Sequence, residues 1–239
     1  MVSPSVDNQT TVNAAVDDGT FIGNPRFPGI VTTAFLANEF AEMSEFYNQD
    51  IFGYVGPPDD FDSMWGYPNY FSTIMRVVQV FTPSALTYAC MSFGKLLRPT
   101  PTANFNNAAV GIRWDFFNNR WECFVNNKWN AVPANRFHLI DLGADGRVGA
   151  VPPSVLTQHR LEIIYDPPIS VTFMINGRTA LVFTDALVAP LTPLAELYAN
   201  KNMPGSTLAG LVLCMKQGAG VGDTTVMWHN TRAETLVRE

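Results

Sequence analysis

An antiparallel β-sandwich, all-β apart from an extended N-terminal arm and one short helix, is the fold class this sequence predicts. Three observations predict it. Nine runs of six to nine residues are rich in β-branched and aromatic side chains, turn signals separate them at short intervals, and no helices alternate with them. At 239 residues the chain can bury one sizeable core, and it is read as an arm over 1–20 and a single sandwich domain over 21–239.

Residues 1–20 carry no large apolar side chains other than valines and end at the turn pair Asp18-Gly19, so they read as an arm ordered only against a partner. From Phe35 the apolar positions Leu36, Phe40, Met43 and Tyr47 step by four, three and four, which predicts the short amphipathic helix over 35–47. Pro57, Pro58, Gly66 and Pro68 then break regular structure and predict a surface loop. Its acidic residues Asp59, Asp60 and Asp62 read as a solvated run rather than a cation site.

Strands are expected at 73–81, 86–94, 109–117, 120–125, 159–166, 170–175, 179–184, 208–215 and 224–230. Within 110–116, Val110, Ile112, Trp114 and Phe116 alternate with Gly111, Arg113 and Asp115, which predicts one buried face and one accessible face. Asn118-Asn119, Asn126-Asn127, Asp145-Gly146 and Asn176-Gly177 mark turns. The last supplies two positive-φ positions between alternating runs and predicts a tight hairpin.

Composition narrows the function. Charged residues are 15% of the chain against 47% hydrophobic, so surfaces covered by neighbouring subunits and a plain neutral-surfaced domain are both open. A net charge of −6 without a basic run argues against nucleic-acid binding. No stretch approaches the apolar length of a membrane span or a leader, so neither membrane insertion nor secretion is expected. Cys90, Cys123 and Cys214 each sit in an apolar run, as reduced buried thiols do, which suits synthesis in a reducing host cytoplasm.

The segments VGIRWDFFNNRWECFVNNKW and HRLEIIYDPPISVTFMINGRTALVFTD resemble the concanavalin A-like (laminin G-like) jelly-roll modules of phage and viral surface proteins, such as tail spikes, head fibres and capsid decoration proteins. The resemblance is carried by Gly111, Ile112, Arg113, Trp121, Leu161, Ile163, Phe173, Ile175, Asn176 and Gly177, and covers about 109–185. It implies a virion structural protein at the particle surface, a decoration (cement) or head-fibre subunit. Its partners would be the major capsid protein and copies of itself, as a homotrimer at a symmetry axis.

Reactive chemistry is sparse. The paired-carboxylate strand of sugar hydrolases is absent, and Glu162 and Asp166 read as surface solvation. His138, His159 and His229 lack metal-ligand spacing and read as polar residues at strand ends. No catalytic residue, metal site or cofactor is therefore expected, and the chain reads as a non-enzyme.

The alternative is a carbohydrate-binding module that recognises a host surface glycan. Sugar sites pair exposed rings with amide or carboxylate groups, and Trp65, Tyr67, Asn69, Asn127 and Trp129 have that character. For assembly, Phe35, Phe40 and Phe46 are the candidate anchors.

Overall fold

The computed structural model describes residues 20–24, 27–33, 40–46, 66–79, 88–94, 108–142, 155–201, 210–216 and 225–235. Its strands are β1 (Thr20–Asn24), β2 (Phe27–Thr33), β3 (Phe40–Phe46), β4 (Asn69–Gln79), β5 (Tyr88–Gly94), β6 (Ala109–Asp115), β7 (Arg120–Asn126), β8 (Phe137–Asp141), β9 (Gln158–Asp166), β10 (Ser170–Ile175), β11 (Arg178–Phe183), β12 (Gly210–Lys216) and β13 (Thr225–Thr235). The helix α1 spans Pro193–Ala199. All but the last residue of the predicted arm, together with Phe35 and Trp65, lie outside the described residues.

The strands form two antiparallel sheets, one of seven in the order β1-β2-β13-β4-β9-β10-β11 and one of six in the order β3-β12-β5-β6-β7-β8. Alternation along each strand supplies the core between them: Phe71 and Met75 on β4, Met91 and Phe93 on β5, Ile112 and Trp114 on β6, Trp121 and Cys123 on β7, Leu161, Ile163 and Tyr165 on β9, and Phe173 on β10. Phe71 and Phe93 stack across the sandwich at 4.6 Å between ring centres. Burial of this apolar surface is the main force holding the sheets together.

Hairpin β10–β11 follows the sequence expectation. Asn176 and Gly177 take positive φ values of 53° and 74°, Phe173 pairs with Leu181 and Val171 with Phe183. A bulge between Phe173 and Met174 fits the two-residue turn to the sheet twist.

Two expectations are corrected. The segment 40–46, predicted as part of a helix over 35–47, is strand β3, and every residue of it pairs with β12. An apolar spacing of four, three and four favours a helix only weakly over so short a length, and the seven-residue ladder to β12 outweighs it. The one described α-helix is α1, which the sequence reading missed.

The second correction concerns β6. Its second face was expected to be accessible, yet β5 and β6 are buried at every residue and β7 at all but Arg120. Gly111 is required there: an added Cβ would lie 2.4 Å from Cζ of Phe124 and 2.8 Å from the Met91 carbonyl oxygen. The absence of a side chain lets the Phe124 ring lie directly on the sheet.

Candidate functional site

Register places a polar cluster on the outer face of the seven-stranded sheet. On β4, Asn69, Phe71, Thr73, Met75 and Val77 turn inward, so Tyr70, Ser72, Ile74 and Arg76 turn outward. Ser72 lies between Glu162 on β9 and Arg232 on β13, and Ile74 lies opposite Arg160. Three arginines from three strands thus share a face with Glu162, and in register Asp166 and Glu234 stand further along it.

The centre is ordered by hydrogen bonds. The Tyr70 hydroxyl donates to Glu162 Oε1 at 2.7 Å, Arg160 Nη2 donates to the Tyr70 oxygen at 2.9 Å, and the same nitrogen lies 3.0 Å from Glu162 Oε1. Hydrogen bonding to Tyr70 and the nearby Glu162 charge raise the Arg160 pKa, so the group is a permanent cation. Glu162 Oε2 and Arg76 Nε are buried without a hydrogen-bond partner. Arg160 is 53% exposed at its side chain, and Tyr67, just ahead of β4, is 41% exposed. An exposed guanidinium such as that of Arg160 can meet an anionic substituent of a ligand.

The outer face of the six-stranded sheet carries a second polar set, which is enclosed. Arg113 Nε donates to Glu122 Oε2 at 2.5 Å with both side chains almost wholly buried. Arg120 reaches Glu122 Oε1 through Nη2 at 2.7 Å and Asp141 through Nη1 at 2.5 Å. Asp115 accepts from Asn118 Nδ2 at 2.6 Å and from the backbone N–H groups of Phe117 and Asn118, which fixes the β6–β7 turn. The Arg113 guanidinium also lies 5.0 Å from the centre of the Tyr88 ring. Such an interlocked network of two arginines and three carboxylates holds strands together, and it offers a ligand little access.

The sugar candidates named from sequence divide between the sheets. Tyr67 and Asn69 stand at the start of β4, but Asn69 is fully buried and its amide donates to the Tyr67 carbonyl at 2.7 Å. Asn127 and Trp129 follow β7, where the Trp129 N–H donates to Asn127 Oδ1 at 3.2 Å. Asn127 is also fully buried, donating to Glu196 of α1, while Asn130 donates to the same carboxylate at 3.3 Å. Trp129 packs against the core, with Lys128 Nζ 4.8 Å from its ring centre. This corner ties the β7–β8 connection to α1, whose first turn is capped by Asp185 accepting from the Leu194 and Ala195 N–H groups at 2.8 and 3.1 Å.

Phe40 and Phe46 open and close β3, in register with Lys216 and Gly210. His159 does stand at the start of β9, but it is fully buried, 5.3 Å from the Trp121 ring and 6.0 Å from the Trp114 ring between centres. Burial lowers the His138 pKa and raises that of the Cys123 thiol, which keeps the thiol protonated. Among the described residues no group of histidine, cysteine and carboxylate side chains could hold a metal ion. Tyr70, Arg76, Arg160, Glu162 and Arg232 were not singled out together from sequence, although the odd-even alternation of 69–77 does mark Tyr70 and Arg76 as outward.

No protein-family profile and no curated protein matches the chain. Solved structures do. The polysaccharide lyase family-7 alginate lyase A1-II' superposes with a TM-score of 0.54 at 10% identity, covering 98% of this chain and 92% of that one. Alginate lyase AlyC3 gives 0.53 at 8% identity over 91% and 78%. The binding domain of Paraclostridial Mosquitocidal Protein 1 gives 0.52 at 10% identity, over 92% of this chain and 43% of that one. At these identities the likeness is one of fold, a jelly-roll β-sandwich.

That likeness overturns the expectation of a non-enzyme. The expectation rested on the missing paired-carboxylate strand, a requirement of glycoside hydrolysis. The alginate lyases show the fold in lyases, and lyase chemistry eliminates across a bond without that pair.

Proposed function

We propose that the chain engages an anionic polysaccharide through the outer face of its seven-stranded sheet. The observation that carries the reading is that Arg76, Arg160 and Arg232 share one sheet face, with Arg160 paired to Glu162, on a chain whose net charge is −6. Guanidinium groups pair with sugar carboxylates or sulfates in a fixed fork geometry, and the exposed Tyr67 ahead of β4 is a ring on which a longer chain could stack. The alginate lyases that share the fold act on such a polymer.

Titration calorimetry with alginate at low salt tests the reading. Binding is expected, weakening as salt rises. Tyr67→Ala should lower affinity at least tenfold with the unfolding curve unchanged, since that ring is exposed, and Arg160→Lys, which keeps a cation beside Glu162 but loses the fork, should lower it as well. Reading the same mixture for unsaturated chain ends separates holding from cleaving. Absence of binding to any acidic polysaccharide would overturn the proposal.

A second reading is a subunit displayed on a virion surface, assembled through 1–20 and the phenylalanines Phe35, Phe40 and Phe46. The low charge content and the exposed Leu156, Ile169 and Val182 favour a surface covered in an assembly. A solution mass of three chains by light scattering is the expected result, and a monomer at all concentrations counts against it.

A further inference from the structure

Strands β5 and β12 are paired antiparallel along their whole length, and the register sets Cys90 directly opposite Cys214. Directly opposed residues of an antiparallel pair have Cα atoms about 4.5–5.5 Å apart. A disulfide spans Cα separations of about 4.4–6.8 Å. The third cysteine is excluded by topology. Cys123 stands on β7, two strands from β5, and belongs to the core between the sheets, whereas Cys90 packs with Tyr88, Ala109 and Phe124 on the opposite face. Cys90 is a buried free thiol in the structure.

We propose that Cys90 and Cys214 are a redox pair that closes to a cross-strand disulfide when the protein meets an oxidising environment. The oxidant is a small-molecule disulfide such as oxidised glutathione. One cysteine thiolate attacks a glutathione sulfur, expelling one glutathione thiolate and leaving a mixed disulfide. The second cysteine thiolate attacks the protein sulfur of that bond and expels the other glutathione. Two protein thiols lose two electrons and two protons, and one oxidised glutathione becomes two thiols.

The bond would join β5 to β12, the strand that carries β3, and close a loop longer than a hundred residues. Loops of that length lose much chain entropy in the unfolded state when cross-linked. Because Cys90 is fully buried in the folded chain, the bond closes during folding or when the β5–β12 edge opens, not on the closed sandwich. Burial of Cys90 makes the closed bond resistant to reduction once formed.

The test is refolding of the full chain in a glutathione redox buffer, beside native protein exposed to the same oxidant. Mass spectrometry under denaturing, non-reducing conditions should show the loss of two hydrogens and no glutathione adduct. Titratable thiols in denaturant should fall from three to one, and peptide mapping should join the segments holding Cys90 and Cys214. The melting temperature should rise by roughly 5–15 °C and fall back on reduction. Cys123→Ala should still form the bond, while Cys214→Ala should not. Three free thiols after refolding, or a bond that includes Cys123, would overturn the proposal.

Discussion

Glu122→Ala is expected to destabilise the protein by about 3–5 kcal/mol, because it strands a buried cation. Arg113 is 7% exposed at its side chain, and its Nε donates to Glu122, while Nη1 has no partner. With the carboxylate gone, its charge would be buried without compensation. Arg120 would lose its bonds to Glu122 as well but keep Asp141, and at 37% exposure it can turn to water. The large term therefore belongs to Arg113. Urea unfolding measures it, and the paired change Glu122→Leu with Arg113→Met should cost less than either alone, because it removes both charges together. A loss below about 1 kcal/mol for Glu122→Ala would mean that water reaches this face.

Trp114→Ala should cost about 3–5 kcal/mol for a different reason. The indole is 2% exposed and lies 4.9 Å from Phe116 and 5.8 Å from Trp121 between ring centres. Its Nε1 donates to Asn119 Oδ1 at 3.2 Å, which fastens the β6–β7 turn to the core. Removing it leaves a cavity and frees the turn together. Unfolding midpoints check the first effect, and faster amide exchange at Phe117 and Asn118 checks the second.

The sandwich is legible because its strands alternate with a period of two and its hairpins carry turn residues suited to positive φ. Asn176-Gly177 locates one turn, and the outward Thr172 and Met174 against the inward Phe173 and Ile175 set its faces. Strand β8 is not legible, since FHLID holds five residues with a histidine and an aspartate among them. Nor is α1, because PLAELYA is too short to show a helical stripe and is held by Asp185 and by the burial of Leu194 and Leu197. Local spacing misplaced β3, whose partner β12 lies far along the chain.

The buried ion pair was only partly within reach of sequence reasoning. Taken as a two-residue turn, Asn118-Asn119 would set Asp115 opposite Glu122, whereas the four-residue connection 116–119 sets Asp115 opposite Arg120 and Arg113 opposite Glu122. The arginine face was beyond it. Arg76, Arg160 and Arg232 come from three strands joined by non-local pairing, and nothing near each residue announces the others. Asn69 and Asn127 illustrate the converse: their loop-rich surroundings suggested exposed amides, but both are folded inward to satisfy local backbone and side-chain groups.

The most direct measurement of the central claim is a crystal structure of the protein soaked with an alginate oligosaccharide. Sugar density over β4 and β9, with a carboxylate against Arg160 and a ring on Tyr67, is the predicted result. Density confined to another surface, or none in crystals whose sheet face is open to solvent, would contradict it.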